Sequence, residues 1–313
     1  MNNKEKYIEF CKNTENLPIF FKDWWLDATC GKDNWDIILV EKKEKIIGVF
    51  PVFYKKINIF KGLANPILTP RLGVWLNYPE NQKYTSKLGF EKKVINEIIS
   101  KLPKHNFFAI HFHYNLKNWL PFYWNGFSQT TKYSYVIDDL SDLDKVFSNF
   151  KSNIRNKIKK AEKIIKVEKS EDLQSFYNVN ELTYKRQNKQ IPYSFDQIRK
   201  IDNACKKNNS RAIFLAKDNK NIVYAGLYLI FDKNYAYQLM LGVNPKYSNT
   251  GVASLLIWEA IKFSATKVKH YDFEGSIIEN IETFFRSFGG KQTQYFKIMK
   301  YNSLILKVLK AFK

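Results

Sequence analysis

Two segments of the chain share the same order of residue types, and this internal repeat constrains the fold more than any other feature. Four residues recur at a constant offset of 163 positions: Phe122, Gly126, Gln129 and Thr130 return as Phe285, Gly289, Gln292 and Thr293. A strand-like run precedes each copy, at residues 107–110 and 270–273. The shared order of hairpin, helix, strand, turn and strand predicts a duplicated domain, with chance as the alternative for so short a match.

The repeat predicts two domains, residues 1–138 and 139–313, each with its own core. The predicted fold class is α/β (α+β), with a mixed, largely antiparallel sheet flanked by helices in each domain. Apolar residues at steps of three and four predict one long basic connector helix over residues 141–166. Residues 18–29 predict a helix, and residues 57–79 predict a long loop.

Composition narrows the class of protein. A hydrophobic content of 45% predicts a packed globule. No apolar run is long enough to cross a bilayer and no signal pattern opens the chain, so we expect a cytoplasmic protein. The three cysteines are scattered and odd in number, which predicts reduced thiols. We expect no metal site.

A net charge of +21 calls for an anionic partner or a solvated surface. The densest basic run covers residues 151–166 and would attract the phosphate of a nucleotide, tRNA or anionic lipid. The alternative is plain surface charge, because lysine far outnumbers arginine, which binds phosphate better. The tail at 302–313 predicts a basic amphipathic helix, which would pack on the domain or lie on a membrane.

Polar residues at two strand ends form the candidate site. The strand-like run at 268–273 leads into Asp272, Glu274 and Ser276. Alternation predicts that Asp272 and Glu274 share one face while Phe273 points into the core. The other element is the strand-to-helix turn at 244–253, where small residues let backbone amides approach an anion. A helix cap at Ser248, Asn249 or Thr250 is the alternative explanation of the turn.

Together these motifs resemble the GNAT acyltransferase superfamily, in its double-domain branch with the Fem-type peptidyltransferases and envelope-associated acetyltransferases. The resemblance rests on residues 271–276, 284–289, 153–161, 184–187 and 255–260, and it is clearest over residues 141–300. It implies two tandem GNAT-like domains, a degenerate acceptor-side domain followed by a catalytic domain that binds the donor. The spacing Ser248-x-x-Gly251-x-Ala253 is similar to the pyrophosphate-binding motif of acyl-CoA N-acyltransferases, with Ser in place of Gln or Arg.

The resemblance also assigns roles. It implies that acyl-CoA is a co-substrate rather than a tightly bound cofactor, and that the strand at 235–243 splays from its neighbour near Gly242. The implied donor-binding residues are Leu241, Gly242, Val243, Ser248, Asn249, Thr250, Gly251, Val252 and Ala253. The implied catalytic residues are Glu274 or Asp272 as general base, with Ser276 and Arg286 beside them.

Two departures concern the donor. Fem-type enzymes usually carry Phe-Lys-x-x-Phe-Gly where this chain has Phe284-Phe285-x-x-Phe288-Gly289, so Arg286 is the nearest cation. Acyl-CoA transferases often supply a tyrosine hydroxyl from the same helix, and neither Phe284 nor Phe285 has one.

For the acceptor, a cleft between the repeats is a natural pocket. The candidate contacts are Lys22, Trp25, Arg186, Gln187, Tyr237 and Gln238. The function we expect is N-acylation of an amine on a phosphate-bearing envelope or polysaccharide precursor, with an anionic small molecule or a lipid-linked molecule as the acceptor. The alternatives are an aminoacyl-tRNA-dependent transferase, and a non-catalytic binder of RNA or of a membrane surface.

Overall fold

The computed structural model describes residues 1–311, and the chain forms two compact units. Unit 1 is Met1–Lys132 together with Gln294–Lys313, and unit 2 is Tyr133–Thr293. The packing units therefore differ from the predicted division at residue 138, because the last strand of the chain pairs within unit 1. Phe312 and Lys313 of the predicted tail helix lie outside the described residues.

The strands of the described chain are numbered in sequence order. They are β1 (Trp35–Lys42), β2 (Lys45–Ile57), β3 (Phe60–Ala64), β4 (Trp75–Leu76), β5 (Phe107–His111), β6 (Ser128–Ile137), β7 (Lys166–Ser170), β8 (Arg211–Lys217), β9 (Val223–Phe231), β10 (Tyr235–Val243), β11 (His270–Asp272) and β12 (Lys291–Tyr301).

The α-helices are numbered in the same way. They are α1 (Asn3–Asn13), α2 (Asp23–Cys30), α3 (Tyr84–Ser100), α4 (Leu120–Trp124), α5 (Leu143–Ser148), α6 (Ser152–Ala161), α7 (Leu173–Lys185), α8 (Phe195–Lys207), α9 (Val252–Ala265), α10 (Glu279–Arg286) and α11 (Leu304–Ala311). Short 3₁₀ turns cover Ile19–Phe21 and Pro245–Thr250. None of the helices within residues 1–311 is both long and apolar enough to span a bilayer.

Unit 1 contains a mixed sheet in the order β1-β2-β3-β5-β12, with the short β4 paired to β2. β3 and β5 are parallel and the other neighbours are antiparallel. Helix α1 begins with a capping box in which Asn2 and Glu5 satisfy each other's backbone amides. The buried face of α3 contributes Val94, Ile95 and Ile98 to the core against β2.

Unit 2 contains a mixed sheet in the order β6-β11-β10-β9-β8-β7, in which only β10 and β11 are parallel. Helix α9 is apolar around most of its circumference, with nine buried residues, and is the central helix of this core. Helix α8 begins with a second capping box, formed by Ser194 and Gln197. The predicted fold class of two similar units with mixed, largely antiparallel sheets is confirmed.

The repeat maps onto the two units with an exchange of the last strands. β5, α4 and β6 of the first copy correspond to β11, α10 and β12 of the second. Yet β12 pairs with β5 in unit 1, and β6 pairs with β11 in unit 2. The last strand of the first copy, β6, therefore completes the sheet of unit 2. The last strand of the second copy, β12, completes the sheet of unit 1.

Three predicted elements were wrong in detail. The connector over 141–166 is two helices, α5 and α6, because the chain turns at Asn149–Lys151 and the Lys151 amide donates to Ser287 O at 2.9 Å. The predicted helix at 18–29 is a 3₁₀ turn followed by α2, with an extended Lys22 between them. The predicted loop at 57–79 contains β3, whose Gly62 faces the ring of Phe107 so closely that only glycine fits.

Candidate functional site

The parallel strands β10 and β11 pair over only three residues, and the sheet opens beyond that point. Tyr235, Ala236 and Tyr237 pair with His270, Tyr271 and Asp272, where β11 ends. β10 continues for six residues to Val243 and stays paired with β9 on its other side. A bulge between Gln238 and Met240 bends β10 at the point of separation. The carboxyl ends of two parallel strands thus border a gap, which is where such sheets place ligands.

The backbone amides along the open edge alternate in direction. The Asn244 amide donates to Tyr224 O of β9 at 2.9 Å. By alternation the amides of Leu241 and Val243 point away from β9, toward the gap. The Val243 amide meets Thr183 Oγ1 of α7 at 2.9 Å, and the Thr183 hydroxyl donates back to Val243 O at 3.3 Å. Leu241 therefore contributes an edge amide that points toward the gap.

Helix α7 packs directly against the end of β10. A Cβ at Gly242 would lie 2.5 Å from the Cα of Asn180, so only glycine allows this approach. Asn180 is buried and donates its side-chain amide to Tyr193 Oη, which in turn donates to Met240 Sδ at 2.9 Å. This chain of hydrogen bonds fixes the position of α7 along one side of the gap.

At the closed end of the gap, Gln238 and Tyr271 join the two strands. Tyr271 Oη donates to Gln238 Oε1 at 2.9 Å, and both side chains are buried. Burial raises the pKa of the Tyr271 hydroxyl well above its ordinary value, so it is a neutral hydrogen-bond donor. Gln238, predicted to contact the acceptor, instead holds the strands together where they separate.

The turn after β10 delivers backbone amides to the amino end of α9. Gly251 has φ +83°, and its position precedes Val252 and Ala253 in the first turn of the helix. The N-cap residue of α9, Gly251, has no side chain, and the Val252 amide makes only a long hydrogen bond of 3.4 Å to Thr250 Oγ1. The hydroxyls of Ser248 and Thr250 donate to carbonyls within the turn at 2.9 and 2.7 Å. Their hydroxyls brace the turn, so its amides and the positive end of the helix dipole remain the anion-binding elements.

Aromatic stacking and glycine fix the same turn from both sides. The rings of Tyr247 and Tyr224 stack with centroids 3.7 Å apart. On the other side, the carbonyl of Lys157 in α6 lies 2.7 Å from where a Cβ on Gly251 would be. Lys157 itself is exposed, so the basic helix α6 places a cation beside the turn.

Arg155 has a different role, because it donates to Ser148 O at 2.7 Å and to Phe150 O, closing the carboxyl end of α5.

The residues after β11 form a tight turn built on Asp272. Asp272 is fully buried, and its Oδ1 accepts from Ser134 Oγ and from the Glu274 amide, the latter at 2.8 Å. Glu274 has φ +61° and Gly275 has φ +56°. The strand ends at Asp272, so the prediction that Asp272 and Glu274 alternate on one strand face was wrong. Phe273 points into the core as predicted.

Glu274 is therefore the partly exposed carboxylate at the strand end, and Asp272 positions its backbone. Gly275 approaches the backbone of Tyr133 and Ser134 so closely that a side chain cannot fit. Ser276 Oγ accepts from the Ile278 amide at 3.0 Å and organises the entry to α10. A half-buried carboxylate beside an open sheet edge has the chemistry of a general base.

Arg286 belongs to a hydrogen-bonded network on α10. Its Nε donates to Glu282 Oε1 at 2.9 Å, and the same oxygen accepts from Tyr135 Oη. Gln292 Nε2 donates to Tyr135 Oη at 2.9 Å. The hydrogen bond from Tyr135, followed by that from Arg286, lowers the pKa of Glu282, which stays charged. Arg286 is thus held by Glu282, and this network ties α10 to β6.

Phe285, at the position of the lysine of Fem-type enzymes, is a core residue. It is buried, with its ring 5.7 Å from that of Phe273. Phe284 packs at the border of the same cluster, 5.2 Å from Phe288.

The predicted acceptor contacts are scattered. Trp25 is fully buried and donates from Nε1 to Thr69 Oγ1 at 3.0 Å, so it belongs to the core of unit 1. Lys22 Nζ donates to Thr14 O and Cys11 O at 2.7 and 3.2 Å and closes the carboxyl end of α1. Tyr237 is buried and donates to Asp232 Oδ2 at 3.2 Å. Arg186 and Gln187 are exposed at the end of α7.

Two site residues escaped sequence reasoning. Thr183 lies in an ordinary helical pattern, and only the packing of α7 shows its bond to Val243. Lys157 was one of many lysines in a basic run, and only the crossing of α6 over Gly251 singles it out. No residue pattern within one element could have signalled either contact, because both connect elements distant in sequence.

Comparison with known proteins finds a matching domain family and several structures with a similar fold. Residues 148–284 match the family model of the GNAT acetyltransferase domain. The structure of FemX has 14% identity and a TM-score of 0.68, covering 95% of this chain and 96% of that one. The C-terminal domain of a putative lysylphosphatidylglycerol synthetase from Agrobacterium fabrum has 11% identity and a TM-score of 0.57, covering 99% and 96%. A tandem GNAT protein from the clavulanic acid pathway has 9% identity and a TM-score of 0.50, covering 87% and 84%.

No curated protein sequence matches the chain. The residues that match the GNAT domain model lie within unit 2 and include the open strand edge of β10. The chain as a whole is similar in fold to the FemX structure.

Proposed function

We propose that the protein transfers an acyl group from acyl-coenzyme A to a primary amine. The observation that carries this proposal is the continuous path in unit 2 from the open edge of β10, through the Gly251 turn, to the amino end of α9. An acyl thioester along the open edge would direct its diphosphate to the turn. Two consecutive backbone segments would thus bind the thioester end and the diphosphate end of the same donor.

The reaction needs an oxyanion donor and a base. In our proposal the Leu241 amide donates to the acyl carbonyl as it becomes an oxyanion. Glu274 accepts the proton that the ammonium form of the acceptor must lose before attack. The amine nitrogen then bonds to the carbonyl carbon and the carbon–sulfur bond breaks. The nitrogen loses its second proton to solvent as the amide forms, and the departing coenzyme A thiolate takes up a proton from solvent.

The acceptor is proposed to carry phosphate, as in a nucleotide-linked or lipid-linked envelope precursor. The net charge of +21 and the exposed Arg186 beside α7 support an anionic acceptor. One structure similar in fold is the domain of a putative lysylphosphatidylglycerol synthetase, whose name refers to a phosphate-bearing lipid.

A second candidate is transfer from aminoacyl-tRNA. The exposed lysines of α6, including Lys157 beside the Gly251 turn, favour a polyanionic donor. The buried Phe285 in place of the Fem-type lysine favours acyl-coenzyme A instead.

A thermal stability screen separates the two donors. If the first proposal holds, acetyl-coenzyme A at a hundredfold excess over its Kd stabilises the protein by about 2.7 kcal/mol, and uncharged tRNA does not. Stabilisation by tRNA alone, lost steeply with salt, would establish the second candidate. No stabilisation by either ligand would refute both.

Matched charge reversals locate the donor. Lys157→Glu, beside the turn, should weaken acetyl-coenzyme A binding by about tenfold, which corresponds to 1.4 kcal/mol. Lys163→Glu makes the same charge change beyond the end of α6, and should leave binding nearly unchanged. Equal losses in both variants would show a diffuse charge effect without a site at the turn.

A further inference from the structure

Unit 1 presents a patch of exposed aliphatic residues built from two segments distant in sequence. One segment is the tip of the β2–β3 hairpin, and the other is the first turns of α11. The exposed fractions are 48% for Ile57, 81% for Ile59, 76% for Leu304, 59% for Ile305 and 56% for Val308. We call these five residues the aliphatic patch.

Asn106 holds the two segments at the same end of the sheet. Its backbone amide donates to Lys61 O at 2.8 Å, and its Oδ1 accepts from the Lys61 amide at 2.9 Å. Its carbonyl accepts from the amides of Asn302 and Ser303 at 2.9 and 3.2 Å. Lys61 follows the hairpin tip and Ser303 precedes α11, so the aliphatic patch is one surface.

The rim of the patch is basic. Exposed lysines from these two segments and from the loop before β5 surround it: Lys55, Lys56, Lys104 and Lys307. Residues 53–63, 101–110 and 294–308 contain no Asp or Glu. Leu306, on another side of α11, is half buried, so the helix is seated while Leu304, Ile305 and Val308 remain outward.

We propose that the aliphatic patch docks unit 1 onto an anionic lipid bilayer. Protruding aliphatic side chains with a lysine rim suit the boundary between headgroups and acyl chains. RNA has no counterpart for five aliphatic side chains, and the patch lacks the aromatic rings that stack on bases. A second copy of the chain would bring two lysine rims together, which disfavours self-association.

The experiment is vesicle sedimentation without any donor or acceptor, so it is independent of the proposed enzymatic function. Wild-type protein should bind vesicles of phosphatidylcholine with phosphatidylglycerol at least tenfold more strongly than pure phosphatidylcholine vesicles. The double variant Ile59→Ser, Ile305→Ser should lose at least tenfold in binding to the anionic vesicles. Both positions are exposed, so its unfolding midpoint should match the wild type.

Ile222→Ser is the matched control. Ile222 is also an exposed isoleucine, 41% accessible, beside a hairpin in unit 2, which contains none of the patch residues. It should leave vesicle binding unchanged. Three results would each overturn the proposal: no preference for anionic vesicles, full binding by the double variant, or an equal loss with Ile222→Ser. Binding of RNA that the same double substitution abolishes, without vesicle binding, would also overturn it.

Discussion

The carboxylate of Asp272 accepts the backbone amide of Glu274 at 2.8 Å, and this bond sets the left-handed turn that presents Glu274 at the end of β11. The same Oδ1 accepts the hydroxyl of Ser134. Asp272 is thus a buried positioning residue for the candidate base.

Asp272→Ala should destabilise the protein by about 2–3 kcal/mol, because it leaves a buried hydroxyl and a turn amide without their acceptor. Asp272→Asn keeps an oxygen at that position and should cost less. Thermal unfolding of both variants checks this, with the exposed Asp33→Ala as a control that should change little. A stable Asp272→Ala protein with normal activity would contradict the role of this bond.

Substitution of the candidate base should affect rate far more than stability. Glu274→Gln should lower kcat by about a hundredfold or more, the contribution typical of general base catalysis. Glu279→Gln, an exposed residue at the start of α10, should retain activity. Steady-state acetyl transfer to an amine acceptor found by screening is the measurement. Unchanged kcat in Glu274→Gln would remove the residue from the mechanism.

Gly242→Ala should destabilise unit 2. The new methyl would lie 2.5 Å from the backbone of Asn180, and a backbone cannot move aside as a flexible side chain can. The expected cost is about 1–3 kcal/mol, with weaker donor binding as α7 shifts. Gly89→Ala in α3 is the control, because its Cβ meets open space and a helical glycine gains about 0.5–1 kcal/mol on becoming alanine. Unfolding in urea should show opposite signs for the two substitutions.

Breaking the buried ion pair of unit 2 should be costly. Arg211 and Asp202 are both buried, with Nε and Oδ1 2.9 Å apart, and Tyr228 Oη donates to the same oxygen at 2.9 Å. Arg211→Met would leave the buried Asp202 with the more exposed Lys206 as its remaining cation, 3.3 Å from Oδ2, so the cost should lie near the lower end of the range for broken buried pairs, at about 3 kcal/mol. The exposed pair of Lys185 and Glu181 is the comparison, and Lys185→Met should cost under about 0.5 kcal/mol.

Stability should decline as the pH falls from about 6.5 to 4. Burial, followed by the positive charges of Lys297, Lys132 and Arg71, lowers the pKa of His111 to about 4. The folded state resists a proton that the unfolded state binds near pH 6.5, so this stability is present above that pH and is lost toward pH 4. Thermal midpoints across this range should fall more steeply for wild type than for His111→Asn. Parallel curves would show that His111 is not responsible.

Sequence reasoning predicted the elements that carry their own local signals. The strand expected at 235–243 matches the observed bounds of β10, and the helix expected after the turn at 244–253 is α9. The Ser248 to Ala253 turn was found because small residues between a strand and a helix are a local pattern. Roles that depend on packing were not predictable. Trp25 and Tyr237 look like binding residues in a sequence, and only the folded chain shows that both are buried.

The exchange of final strands could not be predicted either. β6 and β12 carry similar residues at equivalent positions of the repeat, so either could pair with β5 by pattern alone. Long-range packing, not the local residue pattern, determines that β12 pairs with β5. The role of Arg155 was likewise not predictable from the sequence. Its guanidinium could bind phosphate, but in the folded chain it donates to the carboxyl end of α5.

The pairing of β12 with β5 also has a consequence for biosynthesis. β5 is finished early on the ribosome, but residues 297–301, which cover its edge, are translated about 190 residues later. Until then the nascent chain offers an uncovered strand that can recruit foreign β-segments. Chaperone protection during translation should therefore matter more for this protein than for one whose sheets close in sequence order.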